Sequence, residues 1–134
     1  MRNQVRIKIL LVDDSEICRD TSRMMLEAAG FEVVALSSPL GFSKALLKEK
    51  PDVALVDVGM PALQGDQLVS YARRFGAKQG CPIVLFSAQS EHKLAALAET
   101  CGANGYIKKS DDWPATVRAI LGYRTRARLA DAHG

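Results

Sequence analysis

An uninterrupted apolar run near the middle of the chain constrains the fold most, because it ends in a single acid. Residues 53–56 read Val-Ala-Leu-Val, and Asp57 follows them directly. Such a run is typical of a strand buried on both faces of a parallel sheet. Gly59 and Pro61 then favour a turn away from the sheet. Burying an unpaired charge costs free energy, so Asp57 is interpreted either as the cap of a turn or as a functional carboxylate.

Apolar runs of this kind alternate along the chain with segments of helical spacing. The predicted strands are residues 7–12, 31–36, 53–56, 81–86 and 105–108. Helix starts are indicated by Ser15, by Ser38 with Pro39, by Ser90 and by the acidic residues Asp111 and Asp112, and a further helix is expected after Pro61. Strictly alternating strands and helices predict a parallel α/β sheet with helices on both faces.

The helical spacing also predicts which residues face the core and where each helix ends. The predicted inward residues are Ile17, Thr21, Met24, Met25 and Ala28 in the first helix, Ala45 and Leu46 in the second, Leu68, Val69, Ala72 and Phe75 in the third, Leu94, Leu97, Ala98 and Cys101 in the fourth, and Trp113, Val117, Ile120 and Leu121 in the fifth. The predicted helix ends are Gly30, Pro51, Gly76, Gly102 and Gly122. These ends divide the chain into one domain, 1–122, and a basic tail, 123–134, for which disorder, an extension of the fifth helix and the start of a linker all stay open.

Composition limits the classes of function. The chain has 134 residues, of which 48% are hydrophobic and 25% charged, an ordinary balance for one globular domain. Most of the net charge of +3 lies in the tail, so the body carries too little positive charge for direct nucleic-acid binding. No run is long enough to span a bilayer, and no signal-peptide pattern opens the chain. Cys18, Cys81 and Cys101 are odd in number and widely spaced; we expect reduced thiols, a cytoplasmic location, and Cys18 and Cys101 packed as small hydrophobes.

Polar side chains gather where the predicted strands end. The residues at those positions are Asp13, Asp14, Asp57, Ser87 and Lys109. In an open parallel sheet these ends line the functional crevice. Two like charges about 4 Å apart repel by roughly 4 kcal/mol at an effective dielectric of about 20, so the carboxylates need a proton or a cation. Carboxylate oxygens suit Mg²⁺, and a zinc site is not expected because no Cys or His lies near the predicted cluster. With a hydroxyl and an ammonium beside it, Asp57 can act as the nucleophile in phosphoryl transfer; the alternative is that Lys109 only bridges to an acid.

Four motifs in this order resemble the receiver domain of bacterial two-component response regulators, of the chemotaxis-type single-domain form. They are residues 11–15 (Leu-Val-Asp-Asp-Ser), residues 56–61 with Gly65 and Leu68, residues 86–88 (Phe-Ser-Ala) and residues 102–109 (Gly-Ala-Asn-Gly-Tyr-Ile-Lys-Lys). The resemblance covers about residues 6–122. It implies a doubly wound, flavodoxin-like sheet with the strand order 2-1-3-4-5 and five helices.

The resemblance also implies roles for single residues. Asp57 would accept a phosphoryl group, and Mg²⁺ would be held by Asp13, Asp14, Asp57 and the Gly59 carbonyl. Ser87 would bond the phosphoryl oxygen and Lys109 would pair with it, while Ser87 and Tyr106 would form the switch that reshapes the face made by the fourth helix, the fifth strand and the fifth helix.

The implied partners are a histidine kinase or phosphotransfer protein, which would donate the phosphoryl group, and a downstream protein that would bind that face; a homodimer is also allowed. The implied class is a signalling phosphoacceptor rather than an enzyme.

Three alternatives stay open. A pseudo-receiver would dock a partner without phosphorylation; the intact set of five site residues argues against it, and Ser110 keeps it open, because the family usually has proline after the lysine. With serine there, the Lys109–Ser110 peptide is either trans or a costly cis bond. An aspartyl phosphatase is less well matched, since its D-x-D motif is absent after the first strand. A fragment of a longer regulator is the third alternative, although the segment after Gly122 is too short for a DNA-binding domain.

Overall fold

The computed structural model describes residues 6–59, 67–70, 73 and 80–133. Five strands alternate with helices along the chain. The strands are β1 (Lys8–Val12), β2 (Glu32–Leu36), β3 (Val53–Val56), β4 (Ile83–Ser87) and β5 (Gly105–Lys108). The helices are α1 (Glu16–Ala28), α2 (Phe42–Glu49), α3 (residues 67–70 and 73 as described), α4 (Glu91–Cys101) and α5 (Trp113–His133). All strand pairs are parallel and the order is β2-β1-β3-β4-β5, which confirms the predicted architecture.

Apolar side chains on both faces of the sheet form two cores. One core joins the sheet to residues of α2, α3 and α4, and the other joins it to α1 and α5. Every residue of β3 is fully buried, as the unbroken apolar run predicts. The buried central strand β3 therefore places Asp57 at the carboxyl end of the sheet.

Serine and glycine signals predict most of the helix ends correctly. The Ser15 and Ser90 hydroxyls accept hydrogen bonds from the backbone N–H groups of Cys18 and Lys93. Gly102 ends α4 in the left-handed conformation, with φ of 81°. The signal before α2 is wrong by three residues, because Ser38 bonds the Leu40 N–H in a turn of its own and Gly41 is the N-cap.

The predicted inward face of α1 is wrong. Ile17 is 79% exposed and Met24 is 62% exposed, and Thr21 and Ala28 are exposed as well. The buried residues of this helix are Ser22 and Leu26. Cys18 is exposed too, contrary to the prediction that it packs in the core, whereas Cys101 is buried as predicted.

The predicted end of α5 is also wrong. The helix continues through Gly122 and reaches His133. Ile120 is fully buried as predicted, but Leu121 lies on the exposed side. Residues 123–133 therefore continue α5. A domain boundary at residue 122 stays a prediction.

Some predictions fall outside the described residues. They concern the turn at Met60 and Pro61, Gly65, and the third-helix residues Ala72, Phe75 and Gly76. In the described part of that helix, Leu68 and Val69 are buried as predicted. Among the helices described, none is both long and apolar enough to cross a membrane.

Candidate functional site

Three aspartates meet at the carboxyl end of the sheet. Val12 of β1 and Val56 of β3 are register partners, so the residues that follow them, Asp13 and Asp57, leave the sheet side by side. The Asp57 N–H donates to the Val12 carbonyl at 2.9 Å, which fixes this arrangement. One carboxylate oxygen from each of Asp13, Asp14 and Asp57 lies within 4.8 Å of the others. The predicted cluster is thus present in space.

Asp13 is the buried member of the cluster. Its exposed fraction is 0%, and its Oδ2 accepts a hydrogen bond from Lys109 Nζ at 2.7 Å. Its Oδ1 accepts the Ser15 N–H at 3.0 Å, and Arg19 Nη1 donates to its carbonyl. Lys109 Nζ also lies 5.5 Å from the centre of the Phe86 ring. The Lys109 ammonium and the Ser15 N–H at the start of α1 therefore compensate a carboxylate charge that would otherwise be costly to bury.

Asp57 is half-buried, and its surroundings raise its pKa above the ordinary value. Burial is the largest cause; Lys109 opposes it, Asp13 adds to it, and the Gly59 N–H, which donates to Oδ1 at 3.4 Å, opposes it weakly. The lysine that pairs directly with Asp13 thus leaves Asp57 incompletely compensated. A Cβ at position 59 would lie 3.9 Å from both Asp57 carboxylate oxygens, so Gly59 leaves that side of the carboxylate uncovered.

Ser87 and Lys109 occupy the same edge of the sheet. Ser87 is the last residue of β4 and is buried; its hydroxyl accepts the Gln89 N–H at 3.3 Å. The Lys109 N–H donates to the Ser87 carbonyl at 2.8 Å. The two predicted phosphate-binding groups are therefore joined through the backbone, while their side chains pair with Gln89 and Asp13.

Tyr106 is half-buried in β5 and packs against the core on the α4 side. Its backbone contacts Tyr123 of α5: the Tyr106 N–H donates to the Tyr123 hydroxyl, and that hydroxyl donates to the Tyr106 carbonyl, both at 3.1 Å. The spacing of apolar residues gives no indication of a role for Tyr123. A tyrosine one residue beyond a predicted helix end gives no signal unless the helix is known to continue.

The loop between Lys109 and α5 has ordinary geometry. No cis peptide occurs in the described residues, so the Lys109–Ser110 bond is trans. Ser110 accepts the Asp112 N–H, and Asp112 Oδ1 accepts the Ala115 N–H at 3.0 Å as the cap of α5. Serine here starts the turn that proline would otherwise shape.

The three aspartates fit a hard divalent cation. All three side chains offer carboxylate oxygens, which suit Mg²⁺, and among the described residues the cluster includes neither histidine nor cysteine, the ligands typical of zinc sites. A cation would also supply the positive charge that Asp57 lacks. The cluster therefore offers the kind of oxygen ligand that Mg²⁺ prefers.

The comparisons with known proteins identify the family. A family model for the response regulator receiver domain matches residues 9–120, and the chain belongs to this family. The chain is 32% identical over 116 residues to the transcriptional regulatory protein CseB of Streptomyces coelicolor, covering 84% of this chain and 48% of CseB. It is 36% identical over 108 residues to protein-glutamate methylesterase/protein-glutamine glutaminase 2 of Syntrophomonas wolfei, covering 79% of this chain and 30% of that protein. The chain thus spans about half, or less, of these relatives.

Solved structures show the same fold. The chemotaxis protein CheY4 of Vibrio cholerae matches with a TM-score of 0.79 and 24% identity, covering 89% of this chain and 99% of that one. A CheY-like receiver domain protein of Methanospirillum hungatei matches with a TM-score of 0.80 and 21% identity, covering 94% and 99%. The flavodoxin-like fold predicted by resemblance is confirmed.

Proposed function

We propose that this receiver domain accepts a phosphoryl group on Asp57 from a histidine kinase or phosphotransfer protein, in a reaction that requires Mg²⁺. The observation that carries the proposal is the cluster of three carboxylates at the carboxyl end of the sheet, one of which, Asp13, pairs with Lys109. Burial raises the pKa of Asp57, and within the described part of the chain no cationic side chain forms an ion pair with it, since Lys109 pairs with Asp13. A site that served only stability would not need such a carboxylate.

The transfer follows from the groups present. A carboxylate oxygen of Asp57 attacks the phosphorus of a phosphohistidine, a P–O bond forms, and the P–N bond breaks with its electron pair returning to the imidazole, which then takes a proton. Mg²⁺ on Asp13, Asp14, Asp57 and the Gly59 carbonyl would supply positive charge for the phosphoryl oxygens. The Lys109 ammonium and the Ser87 hydroxyl would donate hydrogen bonds to the same oxygens.

The phosphoryl group would act as a switch for binding. It adds negative charge beside Lys109, which favours movement of that side chain from Asp13 toward the phosphoryl oxygens. Because Lys109 directly follows β5, its movement would shift Tyr106 and the face formed by α4, β5 and α5. A downstream protein would bind this face. We propose a signalling role in the cytoplasm, without an enzymatic activity on other substrates and without direct nucleic-acid binding.

Mass spectrometry after incubation with acetyl phosphate and Mg²⁺ tests the phosphoacceptor. We expect the wild-type chain to gain the mass of one phosphoryl group, and Asp57→Asn to gain none. Asp111→Asn is the matched control, because Asp111 is exposed and lies outside the cluster. If neither the small donor nor a histidine kinase changes the wild-type mass, the chain is a docking module of the pseudo-receiver type instead.

Thermal unfolding in a Mg²⁺ titration tests the metal site separately. An ion that binds only the native state stabilises it by about 2.7 kcal/mol when its free concentration is 100 times its Kd. We expect Tm to rise with Mg²⁺ in the wild type and in Asp111→Asn, and to rise much less in Asp13→Ala and Asp14→Asn. An equal rise in all four proteins would contradict the proposed site.

A further inference from the structure

On the outer edge of β5, a single side chain from α5 pairs with the backbone groups of Tyr106. β5 is the last strand of the sheet, so the backbone groups of Tyr106 that point away from β4 have no strand partner. The Tyr123 hydroxyl accepts from the Tyr106 N–H and donates to the Tyr106 carbonyl. One phenol hydroxyl, which can donate and accept at once, thus takes the place of a neighbouring strand.

Gly105 and Tyr123 are shaped for each other. A Cβ at position 105 would overlap the hydroxyl and the ring carbons of Tyr123. Gly105 does not have a positive φ, so the reason for glycine here is space and not backbone conformation. The Arg126 guanidinium lies 4.6 Å from the centre of the Tyr123 ring, and Arg124 forms an ion pair with Asp52 at 3.7 Å. The Tyr123 ring thus lies between the Arg126 guanidinium and the core on the α1 and α5 side of the sheet.

The contact between Tyr106 and Tyr123 is connected to the proposed phosphoacceptor site through the backbone of β5 and Lys109. Tyr106 precedes Lys109 by three residues in the same extended segment, and the Lys109 N–H is bonded to Ser87. On the other side, α5 continues for ten residues beyond Tyr123, a length of about 15 Å. A shift of β5 that begins at Lys109 thus reaches a long helix through the two hydrogen bonds of one hydroxyl.

We infer that Tyr123 is a positioning residue that joins β5 to α5 through its two hydrogen bonds. A phosphoryl group at Asp57 then shifts the position of the C-terminal part of α5, residues 125–133. This inference rests on the proposed phosphoacceptor function for its signal, while the fastening itself does not depend on it. The Tyr106 side chain responds on the α4 side of the sheet, and the Tyr106 backbone passes the same shift to α5. Residues 125–133 then differ between the phosphorylated and the unphosphorylated protein.

Amide hydrogen exchange without any phosphodonor tests the fastening. Tyr123→Phe keeps the ring and removes both hydrogen bonds, so exchange at the Tyr106 N–H should become at least about fivefold faster, the factor for one hydrogen bond of ordinary net strength. Gly105→Ala should have the same effect, because its methyl group displaces the Tyr123 ring. Thr125→Ala, which removes an exposed hydroxyl from the same helix, should leave Tyr106 unchanged. Unchanged exchange in Tyr123→Phe would overturn the inference.

NMR spectra with Mg²⁺ and beryllofluoride, a phosphoryl mimic, test the transmission. In the wild type and in Thr125→Ala, the amide signals of Ser87, Lys109 and residues 125–133 should shift. In Tyr123→Phe, the Ser87 and Lys109 signals should still shift, while the shifts at 125–133 should be lost; a residue that served stability alone would lower Tm and leave those shifts in place. Persistent shifts at 125–133 in Tyr123→Phe, or none in a wild type whose Ser87 and Lys109 respond, would overturn the transmission. A wild type that shows no response at Ser87 or Lys109 would instead contradict the phosphoacceptor function, and the transmission would fall with it.

Discussion

The Asp57 carboxyl lies in surroundings that favour its protonated form, because burial raises its pKa above the ordinary value of 3.8. The native state therefore binds this proton more tightly than the unfolded chain does. Over the pH range that begins near 3.8 and extends to the raised pKa, the native state holds more protons, so the contribution of Asp57 to stability falls as pH rises. Above that range the full penalty remains.

Asp57→Asn should therefore raise Tm at pH 7 in a buffer free of divalent ions. The gain should shrink as pH falls through the same range and should vanish below about pH 3.8, where the carboxyl is protonated in both states. Calorimetry at a series of pH values measures this, with Asp111→Asn as the control that should show no such trend. A Tm at pH 7 that is equal to or below that of the wild type would show that the surroundings of Asp57 do not penalise its charge.

The positions of the site residues could be predicted from the sequence, but their pairings could not. Asp13, Asp57 and Lys109 follow apolar runs, and parallel strands bring such ends to one edge, so the pattern alone indicates that they meet. The pairing of Lys109 with Asp13 joins residues 96 positions apart and depends on side-chain reach at that edge. The contact of Tyr123 with Tyr106 likewise depends on the space above Gly105, which no spacing rule encodes.

α1 shows how a correct helix prediction can carry the wrong face. Ile17 and Met24 lie at a spacing that indicates a core stripe, yet both are exposed. The true inner side includes Ser22 and Leu26. It looks polar in the sequence because Ser22 and Arg19 lie on it; in the structure Arg19 donates to the Asp13 carbonyl. The spacing predicted the helix correctly but favoured the more apolar of its two stripes, which is the exposed one.

The double substitution Ile17→Gln with Met24→Gln should hardly change stability. Each side chain is more than half exposed, and surface substitutions of this kind stay within about 0.5 kcal/mol. Leu26→Ala, in the buried stripe of the same helix, should lower the free energy of unfolding by about 2–5 kcal/mol. Urea unfolding followed by circular dichroism compares them. A double variant that is as unstable as Leu26→Ala would show that the predicted face packs in the core after all.

Gly122 lies inside a continuous helix, although glycine usually indicates a helix end. It has no positive φ, and a Cβ there would meet the Arg126 side chain at 3.6 Å, an ordinary contact with a flexible group. Gly122→Ala should therefore stabilise the protein by about 0.5–1 kcal/mol, since alanine loses less backbone entropy in a helix.

Gly102→Ala is the matched control for that substitution. Gly102 ends α4 with φ of 81°, a conformation that costs other residues about 1–2 kcal/mol, so the same exchange should destabilise there. Chemical unfolding of both variants gives the two signs. Destabilisation by Gly122→Ala of the same size as by Gly102→Ala would indicate that α5 is interrupted at residue 122.

The arrangement of the whole molecule was only partly available from the sequence. Alternating strands and helices predict a parallel sheet covered on both faces, and the two cores have that form. The order β2-β1-β3-β4-β5 does not follow from hydrophobic pattern, because several orders bury the same residues equally well; it came with the family resemblance. What the order adds is β5 at an edge, where its free backbone groups can be taken by α5.

Thiol reactivity reports on the integrity of these cores as a unit. Cys18 is exposed on α1, whereas Cys81 and Cys101 are buried in the core on the α4 side. Burial also raises the pKa of the Cys81 thiol to about 12, so almost none of the reactive thiolate forms at pH 8. The native chain should therefore release one equivalent of chromophore rapidly from a disulfide reagent and two more only as it unfolds in guanidinium chloride. Cys18→Ser should abolish the rapid phase. Rapid reaction of two or three thiols in the native wild type would mean that the α4 side of the sheet opens without global unfolding.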